Sequence, residues 1–127
     1  MTRSSCDCDT GRRYADCCEP FHTVAAHAGT PVELMRSRYS AFARGLNDYL
    51  VATWHPGTLP GEIVTDPSVQ WTALEIIDAP EPTPRRGIVE FVAHYREGGR
   101  DAQLHERSRF VFQSARWWYL DGEHSSS

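Results

Sequence analysis

Residues 87–120, GIVEFVAHYREGGRDAQLHERSRFVFQSARWWYL, decide the fold. Three runs of strand formers are cut by two short turn signals, Gly98-Gly99 and Ser114-Ala115. The first run, 87–96, holds Ile88, Val89, Phe91, Val92 and Tyr95. The second, 102–113, places Leu104, Glu106, Ser108, Phe110 and Phe112 on one face by its period of two. The third spans 116–120, and Asp121-Gly122 then opens a polar tail. Loops this short predict sequential antiparallel pairing.

Upstream, 71–77 reads as a further strand, and Pro80, Pro82 and Pro84 stiffen the loop after it. Earlier still the period changes to that of a helix. Thr30-Pro31-Val32-Glu33 has the capping-box form, with Thr as N-cap, Pro at N1 and Glu at N3. Leu34, Met35, Tyr39, Phe42 and Ala43 form the apolar stripe that follows, and Gly45 is a natural stop. Asn47 is placed to cap a second helix running to about residue 53, which Pro56 and Gly57 end. Residues 58–68 read as loop, with 62–64 as a helical turn or a short extended piece, and 19–29 as a connector. Helices first and a meander afterwards give an α+β fold, with helices packed on an antiparallel sheet.

The chain has 127 residues, 40% hydrophobic and 24% charged, enough apolar material for one core. Its formal net charge of −4 and the lack of a long basic run count against nucleic acid as a partner. No apolar run is long enough to span a membrane, and the first residues lack an apolar leader, so the cytoplasm is the expected compartment.

All four cysteines fall in Cys6-Asp7-Cys8-Asp9-Thr10-Gly11-Arg12-Arg13-Tyr14-Ala15-Asp16-Cys17-Cys18. Cys6 and Cys8 can present two sulfurs from one bend, and Thr10-Gly11 turns the chain so that Cys17 and Cys18 close a tetrahedron around Zn²⁺. A segment this short buries too little to fold unaided, so a metal would supply its folding energy. Four thiolates leave no open coordination position, which makes the expected site structural. Three alternatives stay open at this level: disulfides, a redox-active vicinal pair, and His22 in place of Cys18 as fourth ligand.

This segment resembles a SEC-C motif, the short zinc-binding element known from the C-terminus of the SecA translocase. Cys6, Cys8, Gly11, Tyr14, Cys17 and Cys18 match its fixed positions, with Arg12 and Arg13 where the basic pair usually stands. Asp7, Asp9 and Thr10 depart from its usual Pro, Gly and Ser. The rest of the chain resembles the YchJ family of bacterial proteins, through 34–42, Asp48-Tyr49-Leu50, Thr53-Trp54-His55-Pro56, 89–93, 105–110 and 118–122. The resemblance implies a zinc knuckle over 1–22. It further implies a nuclear-transport-factor-2-like (cystatin-like) cone over 23–127, with a cavity between helices and sheet. It brings no established activity with it. A SEC-C motif implies protein or anionic-surface contacts, so the expectation is a binding or adaptor module that meets a protein partner through the knuckle and has room for a small molecule.

Candidate cavity residues are Trp54, His55, Glu90, His105, Glu106, Arg107 and Arg109. His105, Arg107 and Arg109 share one strand face, and Glu106 and Ser108 share the other with Phe110 and Phe112, the expected core side. Glu90 can meet an arginine across the sheet as an ordinary cross-strand pair. The alternative is an enzyme in which His105 and Glu106 or Glu90 move a proton and Arg107 clamps an anion. Arg36 and Arg38 cannot share a helix face, so at least one should meet a carboxylate or solvent. Trp117 and Trp118 alternate faces, so one of them should be partly exposed or covered by the knuckle.

Overall fold

The computed structural model describes residues 6–8, 10–61, 63 and 65–125. Glu62 and Val64, Asp9 and the last two serines lie outside these residues, so the expectations placed on them are not followed further.

The capping signal fixes the main helix. Thr30 Oγ1 accepts the Glu33 N–H at 3.1 Å, and Glu33 Oε1 accepts the Gly29 N–H at 2.7 Å. Helix α2 then runs Pro31–Arg44 and stops at Gly45, whose φ of 70° is open to glycine at little cost. Helix α3, Asn47–Thr53, follows at once. Asn47 is its first residue and not its cap; its Oδ1 accepts the Thr65 N–H at 3.3 Å and ties down the loop instead. The expected connector opens with a one-turn helix, α1, Glu19–His22, preceded by a 3₁₀ turn at Tyr14–Asp16.

Four strands follow: β1 Val69–Asp78, β2 Arg86–Glu97, β3 Arg100–Gln113 and β4 Arg116–Ser125. They form one antiparallel sheet in chain order. Both tight hairpin turns put two residues at positive φ, Gly98 and Gly99 in one and Ser114 and Ala115 in the other, as the twist of paired strands demands. Irregular register in β1 and at Arg109/Phe110 lets the sheet curve around the helices.

The last strand is longer than the sequence reading allowed. The expected tail from Asp121 is strand to Ser125, paired with 105–109 of β3. Asp121 pairs with Arg109 on the outer face, while His124 reaches Glu106 on the inner one. Gly122 is required there, because a Cβ would overlap the Glu106 carboxylate.

The core lies between α2 and the concave sheet face, built from Leu34, Met35, Tyr39, Leu74, Val89, Phe91, Phe110 and Trp117. The four cysteines belong to the same cluster, so the knuckle is packed into the domain. Phe112, expected beside Phe110, is 39% exposed at the sheet end, with its ring against Trp117. Trp118 is the half-buried tryptophan of its pair, covered by the Arg116 guanidinium. No helix among the described residues is long and apolar enough to cross a membrane.

Candidate metal centre and cavity

The bend at Cys6 to Cys8 and the 3₁₀ turn before Cys17 bring four buried sulfurs together, all within 4.8 Å of one another. Cys8 and Cys17 sulfurs are 3.5 Å apart, and those of Cys17 and Cys18 3.9 Å. Four sulfurs about 2.3 Å from one Zn²⁺ would sit roughly 3.8 Å from each other, so the spacing fits that ion. These separations also leave all four cysteines as free thiols. Electrostatics point the same way. A hydrogen bond from Cys18, with a second from Cys8, holds the Cys6 thiol far below its usual range, and the shared bond with Cys6 pushes Cys18 far above it. Such a site accepts one negative charge readily and resists the next unless a cation is present.

His22 is committed elsewhere. Its Nε2 donates to the Ser37 carbonyl at 2.8 Å, and its Nδ1 accepts from the Tyr14 hydroxyl at 2.6 Å. Both ring nitrogens are used, and the fourth sulfur of the cluster is that of Cys18.

Helix α2 holds the knuckle along one stripe. Arg36 donates to the Cys8 carbonyl at 2.5 Å, and Ser40 Oγ donates to Asp7 at 2.9 Å. Arg44 pairs with the same Asp7 oxygen at 2.7 Å and lies over the Tyr14 ring. Residues 36, 40 and 44 are spaced by one helical turn. Asp7, the departure from the motif's usual proline, thus takes two of the bonds that tie knuckle to helix.

The neighbouring stripe of α2, Met35, Arg38, Tyr39 and Phe42, roofs a cavity of about 270 Å³. Its floor is the concave sheet face, including Trp71, Phe91 and Leu104. Of the candidates from sequence, Trp54 and Glu106 line it. Glu106, 7% exposed, accepts from Ser108 Oγ at 2.5 Å, Tyr119 OH at 2.9 Å and His124 Nε2 at 2.8 Å. Burial, with the Glu106 charge beside it, pushes the Tyr119 hydroxyl well above its usual range and keeps it a donor.

A family model described as YchJ, middle NTF2-like domain, matches residues 30–122. The chain belongs to the YchJ family. Its relatives there include a UPF0225 protein of Streptomyces coelicolor, 44% identical over 97% of this chain and 98% of its own length. A UPF0225 protein of Deinococcus radiodurans is 47% identical over 91% of this chain and 86% of its own. The solution structure of a SEC-C motif containing protein from Rhodopseudomonas palustris superposes with a TM-score of 0.84 at 33% identity, covering 96% of this chain and 99% of that one. A crystal structure of a SEC-C motif containing protein from Psychrobacter arcticus gives 0.77 at 28% identity, covering 100% and 85%. The YchJ-family domain thus has the expected NTF2-like α+β fold, and the cysteine segment precedes the matched range.

The other candidates from sequence stand apart from the cavity. Glu90, His105, Arg107 and Arg109 project from the outer sheet face, because period two sends them opposite to Phe91, Glu106, Ser108 and Phe110. There Glu90 accepts from His105 at 2.6 Å and Arg107 at 2.8 Å, and Arg109 pairs with Asp121. The His105 hydrogen bond, with that of Arg107, holds the Glu90 carboxyl below the usual range. His55 sits at the end of β4, with Nε2 2.8 Å from Gln113 Oε1 and its ring edge toward Trp118.

His124 and Arg38 are among the cavity residues that the sequence reading did not place there. His124 lay in the expected tail. Arg38 carried a signal: it falls four residues from both Leu34 and Phe42, within the apolar stripe.

Proposed function

We propose that this YchJ-family protein is a binding module in which Cys6, Cys8, Cys17 and Cys18 hold one structural Zn²⁺ and the cavity under α2 receives a small molecule. One observation carries the reading: a single helix grips the knuckle with residues 36, 40 and 44 and roofs the cavity with 35, 38, 39 and 42. The ion would neutralise the thiolates and fix the chain's two cysteine turns. The knuckle in turn sets the position of the roof. The lining is largely aromatic and aliphatic with few polar groups, the usual character of a small-molecule site.

The catalytic alternative built on His105 has less support, because its partners Glu90 and Arg107 form an open ion-pair row away from the cavity. A protein partner on the knuckle is a second reading, favoured by the exposed Arg12 and Arg13 at its tip. Both guanidinium groups, however, turn back onto Asp16, Arg12 to its carbonyl and Arg13 to its carboxylate.

The test is elemental and functional together. Freshly purified protein should contain one zinc per chain, and chelation should abolish binding of a small apolar probe such as naphthalene derivatives. Metal-free protein that still binds the probe would remove the proposed link between the two sites. Absence of any bound metal would remove the centre itself.

A further inference from the structure

We propose that the cavity is built for a compact apolar molecule bearing one carboxylate, and that Arg38 is the residue that binds that carboxylate. The inference rests on the cavity being a binding site and names the class of its ligand.

Arg38 is 3% exposed and lines the cavity. One nitrogen, Nη1, donates to the Leu50 carbonyl at 3.0 Å and to Thr53 Oγ1 at 2.7 Å. The Trp54 and Tyr119 rings lie 5.1 Å and 4.4 Å from its central carbon and hold the guanidinium in place. Its Nε and Nη2 have no hydrogen-bond acceptor among the described residues, and no carboxylate there forms an ion pair with it. Arg13, Arg44, Arg96, Arg107 and Arg109 all pair with carboxylates, though all are more exposed.

A buried cation whose direct hydrogen-bond partners are all neutral is costly to maintain, and the one opposite charge in the cavity, Glu106, acts on it only from beyond ion-pair distance. Burial lowers its pKa only to about 10, so the group remains charged at neutral pH. A bound carboxylate would supply a counter-charge in direct contact, and the planar fork of arginine suits its two oxygens. The second charge in the cavity excludes a second anionic group. Glu106 already has both oxygens occupied, by Ser108, Tyr119 and His124. A dianion would set its far carboxylate against that one. The aromatic and aliphatic walls require the rest of the ligand to be apolar, and the volume of about 270 Å³ requires it to be small.

The experiment compares 2-naphthoate, 2-naphthamide and 2,6-naphthalenedicarboxylate on the full zinc-loaded chain, by calorimetry and by the ¹⁵N resonance of the Arg38 side chain. 2-Naphthoate should bind at least about tenfold more tightly than the amide, as a charge-assisted pair exceeds a neutral one. It should also outbind the dicarboxylate and shift the Arg38 resonance. R38M should lose the preference for the carboxylate while keeping the amide; should that variant not fold, the ratio in the native chain decides alone. Amide binding equal to or tighter than carboxylate binding overturns the role of Arg38 and leaves the cavity reading intact. Failure of all three probes overturns both.

Discussion

On the inner face of β3, Glu106 is almost fully buried and accepts three hydrogen bonds, from a serine, a tyrosine and a histidine. On the outer face of the same strand, His105 and Arg107 share Glu90 in partial contact with solvent. The residue types are similar, and the patterns alternate along one run of sequence. The difference is what covers them. Helix α2, held by the knuckle, closes the inner face and removes water from its polar groups. Nothing in the described structure covers the outer row, so water competes for every bond there. Position under α2, more than residue type, gives a charge its consequence in this fold.

On the proposed Zn²⁺ reading, removing the metal should separate the two faces most strongly. Cys8→Ser, or chelation of the native chain, should cost more than about 4 kcal/mol of stability, since structural zinc binding is worth roughly 10 kcal/mol or more. Denaturant melts with and without chelator measure it. The loss should appear first as weakened protection of α2 amides in hydrogen exchange, with the β2–β3 hairpin affected last. A simultaneous loss in both would mean that the knuckle does not act through the helix.

Glu106→Ala comes next. It strips the acceptor from Ser108, Tyr119 and His124, two of them part-buried or buried donors, and should cost about 3 kcal/mol. Glu90→Ala on the outer face should leave the unfolding midpoint unchanged within error. Equal effects from the two substitutions would erase the distinction between the faces.

A smaller effect comes from His22, which links α1 to α2 beneath the knuckle. Burial lowers its pKa, so the folded chain resists a proton that the unfolded chain accepts. The stability it adds is therefore fully present only above the ordinary histidine range near about 6.5 and declines as pH falls through it. Melting temperatures between about pH 7 and 5 should fall more steeply in the native chain than in His22→Gln. Thiolate protonation contributes to both and cancels in the comparison.

Much of this architecture was legible because local signals agreed with burial. The capping box at Thr30, the period-two runs and the two hairpin turns each named an element, and four clustered cysteines named the centre. What was missed lies where a polar residue occupies an inner position. Arg38 interrupts an apolar stripe, and its offset from Arg36 says only that one of the two should meet a carboxylate or solvent. Gly122 and His124 continue the inner face of β4, but their alternation with Asp121 and Glu123 is polar against polar and shows no period. His105, Arg107 and Arg109 were placed among cavity candidates by chemical type, although the same alternation that put Phe110 inside puts them outside. Periodicity identifies faces through hydrophobic contrast, and a functional cavity removes that contrast.

The outer row offers the finest test, because its effect is local and small. Glu90 takes hydrogen bonds from His105 and Arg107, and the first of these does more to hold its carboxyl below the usual range. Any stability it confers is present above the ordinary carboxylate range and fades as pH falls through the depressed value. Carboxyl-carbon NMR titration reads the group directly. In the native chain Glu90 should titrate below the exposed glutamates. Its pKa should rise on His105→Gln and rise less on Arg107→Gln. Since the row is in partial contact with solvent, added salt should bring the native value toward the ordinary one. A Glu90 pKa indifferent to salt and to both substitutions would mean that the outer face is shielded from solvent after all, and the contrast between the two sides of β3 would then need another cause.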